Sequence, residues 1–119
     1  MLTRETSEMI EYCLSEYVQS AIIGDSARMK SVMHENAQIY GFLEGELFAG
    51  PMQLLYDYVD ERDGASTLKW NATLVDETDG VGIARVLIEN WHGHDFTDYF
   101  TLLKIDGNWK IMNKVFAHK

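Results

Sequence analysis

One carboxyl group in the last third of the chain has surroundings suited to acid–base chemistry. Asp98 lies between Phe96 and Phe100 in the run DFTDYFTLLKIDG, residues 95–107. Burial among aromatic side chains raises the pKa of a carboxyl group, because burial disfavours the charged form. Such a group can donate a hydrogen bond or act as a general acid near neutral pH. The alternative is an ionised Asp98 that accepts hydrogen bonds from a backbone amide or a basic side chain, and the sequence leaves both open.

Further residues of the types found in binding pockets lie earlier in the chain. His34, in the run MHEN, follows a predicted helix, so it is either a pocket acid or base or a surface histidine near a helix C-terminus. Tyr40, Trp70 and Trp91 are of the kind that stacks on aromatic ligands. The same residues are equally typical of a hydrophobic core.

The sequence shows no convincing pattern for metal or nucleophilic chemistry. His92, His94 and Asp95 supply metal-ligand types, but Gly93 between them is typical of a hairpin turn, so we predict no metal site. Cys13 falls in the apolar stripe of a helix and is interpreted as an inert core residue. We also find no phosphate-binding glycine loop and no Cys-x-x-Cys pair, and expect no cofactor.

Charge and composition exclude several classes of partner. The net charge is -9, with 10 Lys and Arg against 19 Asp and Glu among 119 residues. Binding of nucleic acid or of an anionic membrane requires clustered basic residues, so neither partner is expected. The lone cysteine cannot form an internal disulfide, and we do not expect the run MLTRETSEMIEY, which is acidic and lacks an apolar stretch, to act as a signal peptide. We therefore expect a cytoplasmic protein.

The elements that must position Asp98 are long strands. Four strand-like runs end the chain, and Asp-Gly or Gly turn signals separate the last three; the runs cover 66–78, 81–93, 95–107 and 108–119. Two shorter strands are predicted in the first half, over 37–43 and 46–50. Helical spacing of apolar residues predicts three helices, over 3–24, 26–33 and 51–64. The order α-α-β-β-α-β-β-β-β predicts one α+β domain over 1–119, with a strongly curved, mostly antiparallel sheet packed against three helices of the N-terminal half.

The ends of the helices carry recognisable signals. Thr6 or Ser7 is predicted to cap the first helix, and Gly24 to end it in the left-handed conformation. Pro51 is expected in the first turn of the third helix. Gly41, within a predicted strand, indicates a bulge or a close backbone approach.

Strand alternation predicts which side chains face the helices. In the last strand, one face carries Trp109, Ile111, Asn113 and Val115, and the apolar pair at its start indicates that this face points inward. In the run 81–93 the inward set is predicted to be Ala84, Val86, Ile88 and Asn90. Asn113 and Asn90 would then be polar groups in an apolar hollow, each needing a partner.

Two segments resemble a known superfamily. The runs YVQSAIIGDSARMKSVMHENAQIYGF and DFTDYFTLLKIDGNWKIMNKVF are similar to the opening and the closing hairpin of nuclear transport factor 2-like proteins, in particular the small SnoaL-like and lumazine-binding-like members. The resemblance implies a cone of curved sheet closed by helices. It also implies that Asp98 points inward, with Tyr17 of the first helix able to face it. Isomerases of this fold use a carboxylate base with a Tyr and a protonated acid, and dehydratases use a His–Asp pair, for which His34 and Asp98 are the available residues.

Three functions follow as hypotheses. The first is a module that binds a small apolar or aromatic molecule in a pocket formed by Tyr17, Tyr40, Trp70, Asn90, Phe100 and Asn113. The second is a cofactor-independent lyase or isomerase in which Asp98 is the acid or base and His34 assists. The third is a non-catalytic dimerising scaffold whose cavity is filled by its own side chains. A homodimer is expected through the outer face of the sheet, formed by Tyr99, Thr101, Leu103, Lys110 and Met112.

Overall fold

The computed structural model describes residues 3–119. Three helices and six strands follow one another in the predicted order: α1 (Arg4–Ile23), α2 (Ala27–Ser31), β1 (Met33–Leu43), β2 (Glu46–Pro51), α3 (Gln53–Asp60), β3 (Lys69–Thr78), β4 (Val81–Trp91), β5 (His94–Ile105) and β6 (Asn108–His118). The strands form one six-stranded sheet in the order β2-β1-β6-β5-β4-β3. Among the strands of residues 3–119, only β1 and β6 pair in parallel. The predicted α+β class and mostly antiparallel sheet are therefore confirmed.

The sheet curves because several strands carry an extra residue. Register shifts occur in β1 after Met33, in β3 at Val75, in β4 after Ile88 and in β6 at Met112. An unpaired residue bends its strand and increases the local twist. The result is a concave face that can receive a helix.

Helix α1 lies in that concavity and fills most of it. Ile10, Leu14, Tyr17 and Val18 of the helix are at most 2% exposed. They belong to one core cluster with side chains of the concave face, among them Val86 and Phe100. The hollow predicted from sequence is thus largely occupied by the protein's own side chains.

Two predicted helix ends are wrong and one is confirmed. The cap of α1 is Thr3, whose Oγ1 accepts a hydrogen bond from the Thr6 amide at 3.1 Å, rather than Thr6 or Ser7. Pro51 ends β2, and α3 begins only at Gln53, because the Met52 amide is bonded to the Ala37 carbonyl. Gly24 ends α1 with φ +83°, as predicted.

The predicted close approach at Gly41 is also present. A Cβ at this position would lie 2.6 Å from the ring of Phe116 on the neighbouring strand β6. The missing side chain lets that ring lie flat against β1, where it forms part of a pocket wall. None of the described helices is long and apolar enough to span a membrane.

Candidate functional site

Three polar side chains meet inside the core, each from a different element. Tyr17 comes from α1, Asp98 from β5 and Lys114 from β6. Their exposed fractions are 0%, 0% and 3%. The Tyr17 hydroxyl donates to Asp98 Oδ2 at 3.3 Å, Lys114 Nζ donates to the Tyr17 oxygen at 2.5 Å, and Nζ lies 3.6 Å from Asp98 Oδ2. We call these three residues the buried triad.

Strand geometry explains how the triad forms. Asp98 lies on the inner face of β5 together with Phe96, Phe100 and Leu102, because every second residue of the strand points inward. In β6 the pattern changes phase at the bulge residue Met112, since Thr101 pairs with Asn113 whereas Leu102 pairs with Ile111. Trp109 and Ile111 therefore point inward before the bulge, and Lys114 and Phe116 point inward after it.

Burial shifts the pKa of each residue in the buried triad. Desolvation raises the pKa of Asp98, and the Lys114 ammonium and the Tyr17 hydrogen bond oppose that rise only in part. Desolvation lowers the pKa of Lys114, against the attraction of Asp98. The pKa of Tyr17 is raised well above its usual value by burial and by Asp98, so the hydroxyl keeps its proton and remains a donor. The pKa values of Asp98 and Lys114 are thus shifted toward each other, and both shifts favour the neutral forms.

One small pocket opens onto this group. Its wall consists of Lys114 and mostly apolar or aromatic side chains: Ile39, Leu43, Phe48, Leu55, Tyr58, Trp91, Phe96 and Phe116. The free volume is about 30 Å³, and a single water needs roughly 10–15 Å³ on this measure. Lys114 lines the pocket, whereas Tyr17 and Asp98 lie behind it. A ligand would therefore meet the amine first.

Aromatic rings surround the amine. Lys114 Nζ lies 5.1 Å from the ring centroid of Tyr17, 5.4 Å from that of Trp91 and 5.3 Å from that of Phe116. Such rings attract a cation, but they also displace water from around the amine. Desolvation is the largest influence on the pKa of Lys114, and it lowers that pKa.

Among residues 3–119, one triad atom is left without a hydrogen bond. Asp98 Oδ1 is buried and has no partner there, while Oδ2 accepts from Tyr17. A buried acceptor without a partner costs about 1–3 kcal/mol. A protonated Asp98 or a bound polar group would relieve this cost.

The predicted site residues divide into those that meet and those that do not. Tyr17 and Asp98 come together as the resemblance implies. The Phe100 ring packs edge-on against Tyr17 with centroids 4.9 Å apart, but neither Phe100 nor Tyr17 lines the pocket as predicted. His34 does not join them. It lies on β1, accepts a hydrogen bond from the Asn36 amide, and borders a surface depression with Lys30 and Tyr56. The structure therefore does not form the His34–Asp98 pair.

The predictions that three other residues line the pocket are wrong. Tyr40 is 42% exposed on the opposite face of β1. Asn90 is exposed because the register shift after Ile88 breaks the alternation, and its side chain instead accepts from the Gly93 amide and holds the hairpin turn. Asn113 is exposed because the bulge at Met112 turns it outward. Trp70 is half-buried against the core but does not line the pocket, whereas Trp91 does.

Lys114 is the residue of the candidate site that sequence reasoning missed. Strict alternation places it on the outer face with Lys110 and Met112, and no local signal marks Met112 as a bulge. The only sequence indication that Lys114 points inward is that Phe116, a large aromatic residue two positions on, lies on the same face of the strand.

The histidines near the β4–β5 hairpin do not form a metal centre. Nδ1 of His94 lies 2.9 Å from Nε2 of His118, and His94 also approaches Glu44 at 3.8 Å. Within residues 3–119 no three His, Cys, Asp or Glu side chains are arranged to hold a metal ion. Cys13 is buried and its Sγ donates to the Trp109 carbonyl; burial raises the pKa of its thiol to about 11, which keeps it unreactive at neutral pH.

The shifted pKa of Lys114 predicts a specific pH dependence of stability. The folded state holds this proton less tightly than the unfolded chain, whose lysine has an ordinary pKa near 10.5. The free energy of unfolding should therefore rise with pH from the folded pKa of Lys114 up toward 10.5. Lys114→Met removes this contribution, because methionine has no proton to release. It also removes the ammonium that lowers the pKa of Asp98, so the variant should lose stability as the pH rises from 3.8 to the folded pKa of Asp98. The wild type should therefore gain stability relative to Lys114→Met as the pH rises from the folded pKa of Lys114 toward 10.5.

Urea unfolding at several pH values measures this difference. Lys104→Met, at an exposed position on β5, is the matched control and should track the wild type. A difference between wild type and Lys114→Met that stays constant with pH would contradict the lowered pKa.

Comparisons with known proteins agree with this fold. Residues 5–117 match the family model described as "Putative lumazine-binding". Aldolase FrzH of Cladobotryum sp. is 32% identical over 106 residues, which span 88% of this chain and 82% of that protein. Two solved NTF2-like proteins of unknown function are also similar. The one from Methylobacillus flagellatus is 34% identical with a TM-score of 0.95, over 99% of this chain and 95% of that one.

The second solved structure, from Shewanella baltica, is 27% identical with a TM-score of 0.92, over 100% of this chain and 98% of that one. The resemblance to nuclear transport factor 2-like proteins implied a curved sheet, a helix that lies against its concave face and an inward Asp98 on β5. The structure has all three. The family match covers nearly the whole chain. The chain therefore belongs to the lumazine-binding-like family of nuclear transport factor 2-like proteins.

Proposed function

We propose that the protein is a cofactor-independent lyase that binds a small carbonyl compound and makes or breaks a carbon–carbon bond next to the carbonyl. The observation that carries the proposal is the buried triad at the base of an apolar pocket. Aldol chemistry needs a proton removed from carbon and a proton delivered to oxygen, and Asp98, Tyr17 and Lys114 are arranged to exchange protons within 3.6 Å of one another. The name of the 32% identical relative, an aldolase, supports this class of reaction.

The size of the pocket supports a small ligand. About 30 Å³ of free volume holds a few heavy atoms. Its wall is apolar apart from the amine and the Tyr58 hydroxyl. A short-chain ketone or aldehyde, with one polar atom to meet Lys114 and a hydrocarbon part to meet the rings, fits this chemistry.

Two reactions of simple ketones test the proposal without knowledge of the natural substrate. The first is exchange of acetone α-hydrogens in deuterium oxide, followed by proton NMR. The second is cleavage of 4-hydroxy-4-methylpentan-2-one to two molecules of acetone. The protein should accelerate at least one of them beyond an equal concentration of free lysine. Rates equal to that control for both reactions would overturn the lyase proposal.

A pure binding module remains the second candidate, supported by the apolar wall alone. It predicts that small ketones raise the melting temperature without any exchange or cleavage. The same samples, followed by thermal shift, distinguish the two functions.

We also propose that two copies associate through the outer face of the sheet. A row of side chains crosses four strands there: Tyr40 pairs with Val115, Val115 with Tyr99, and Tyr99 with Arg85. Tyr40, Val115 and Tyr99 are 42%, 49% and 47% exposed, and Ile83, Leu87 and Leu103 extend the apolar surface. A face of this kind is suited to a second copy of itself, because a two-fold axis places the same side chains against each other.

Substitution of Tyr99 tests this assembly. The wild type should be a dimer by light scattering at micromolar concentration, and Tyr99→Lys should be a monomer, because each copy would bring a buried positive charge to the contact. Tyr12→Lys, on α1 at a residue that is 60% exposed, is the control and should remain a dimer. A monomeric wild type would contradict the proposal.

A further inference from the structure

Lys114 has the properties of a nucleophile rather than of a structural cation. Its ammonium nitrogen is buried at the pocket wall, 3% of the residue is exposed, and the remaining wall is mostly apolar or aromatic. Lysines in soluble proteins normally keep their charged end in water. Placing the amine here costs stability that a Leu or Met would not, so the position favours a chemical role.

The surroundings also favour the form that reacts. A lysine attacks a carbonyl only as the neutral amine, and desolvation lowers its pKa, which increases that form near neutral pH. The charge of Asp98 raises the pKa of Lys114, but burial also raises the pKa of Asp98 itself. Both shifts increase the fraction of molecules in which the carboxyl group holds the proton and the amine is neutral.

We propose that Lys114 Nζ forms an imine with the carbonyl carbon of a small aldehyde or ketone bound in the pocket. This inference rests on the proposed function for the class of ligand, a carbonyl compound. It adds a covalent intermediate and names the atom that forms it.

The step balances without any other reactant. The nitrogen lone pair of the neutral amine attacks the carbonyl carbon, and the carbonyl oxygen receives a proton. The hydroxyl of the resulting carbinolamine takes up a proton held on Asp98 and leaves as water, which gives an iminium ion. The nitrogen then returns its last proton to Asp98, which gives the imine. The net change is one amine plus one carbonyl giving one imine plus one water.

The other two members of the triad supply the proton path. Tyr17 donates toward Asp98 Oδ2 and accepts from Lys114 Nζ, so its hydroxyl bridges the amine and the carboxyl group. In this direction the two hydrogen bonds carry a proton from Lys114 through Tyr17 to Asp98, which leaves the amine neutral. When Asp98 holds the proton, the reverse direction, with Asp98 donating to Tyr17 and Tyr17 to the nitrogen, returns it for the departing hydroxyl without crossing bulk water. We therefore class Asp98 and Tyr17 as positioning residues for Lys114.

Borohydride trapping tests the imine directly. The protein is incubated with acetone and reduced with sodium borohydride, which adds hydride to the imine carbon and leaves an isopropyl group on the lysine. Intact mass should show one added isopropyl group, and peptide mapping should place it on Lys114. Label at Lys114 should exceed that at the exposed Lys104, because a lowered pKa leaves more of the amine neutral.

Variants provide the matched comparison. Lys104→Met should keep the label and Lys114→Met should lose it. Lys114→Arg keeps a positive charge but cannot form an imine, so it should also lose the label. This variant replaces Lys114→Met in the comparison if the methionine variant folds poorly. Mapping of the wild type needs no variant, so label spread over surface lysines with Lys114 unmodified would overturn the inference.

The outcome is separable from that of the proposed function. Acetone exchange or aldol cleavage without label on Lys114 would overturn the imine and leave proton transfer as the mechanism. Label on Lys114 without exchange or cleavage would uphold the imine and contradict the lyase.

Discussion

Replacing Asp98 with Asn is expected to slow acetone exchange about 10²-fold or more, the usual contribution of a positioned acid–base group. The amide is nearly the same shape as the carboxyl group, so the Tyr17 contact is kept while the proton-accepting oxygen is lost. The substitution also removes the negative charge that raises the pKa of Lys114. The pH at which the amine becomes neutral should therefore move downward, and with it the rising limb of the pH–rate profile.

The pH profile separates this role from a purely structural one. A variant that is merely less stable loses activity at all pH values without moving the limb. Glu89→Gln, on the exposed face of β4, removes one carboxylate without touching the triad and is the control. Wild-type rates in Asp98→Asn, or a limb that moves to higher pH, would contradict the assignment.

The second large effect concerns stability and is expected to be strongly non-additive. Asp98→Leu leaves Lys114 without its partner, and Lys114→Met leaves Asp98 with only Tyr17. Breaking a buried charged pair in this way costs about 3–5 kcal/mol. The double variant removes both charges together, so it should be considerably more stable than the sum of the two single losses implies.

The Tyr17 hydroxyl completes this series. In the double variant that hydroxyl has lost both hydrogen-bond partners, which costs about 1–3 kcal/mol. Adding Tyr17→Phe removes it, and the triple variant should recover stability close to that of the wild type or above it. Guanidinium unfolding at neutral pH measures all of these differences. Additive losses across the series would mean that the three residues do not act as one group.

These two expectations together explain why an apolar core contains such a group. If the triple variant folds as well as the wild type but no longer exchanges acetone protons or binds its isopropyl label, then the triad serves chemistry and not folding. A protein generally tolerates a cost in stability at a functional site for this reason.

The sequence predicted the elements well because their signals are local. Asp79-Gly80 and Asp106-Gly107 mark hairpin turns, and all four of these residues adopt positive φ in the structure. The spacing of Ile10, Leu14, Tyr17 and Val18 marks the buried stripe of α1. Both kinds of signal depend on backbone preferences and on period, which hold without knowledge of the rest of the chain.

Asp98 and Tyr17 were placed correctly through resemblance, since both faces of β5 are largely apolar in sequence. The inward position of Lys114 and the outward positions of Asn113 and Asn90 were not accessible in this way. Each depends on a bulge, and one extra residue reverses the face of every side chain beyond it.

The sequence alone thus determined the order of helices and strands, the acidic surface and the aromatic lining available to a pocket. Only the tertiary structure decided that a lysine from β6, a carboxyl from β5 and a tyrosine from α1 share one dry space. Local backbone preferences act over a few residues. The contact among these three side chains depends instead on strand register across the sheet and on how tightly α1 packs against its concave face.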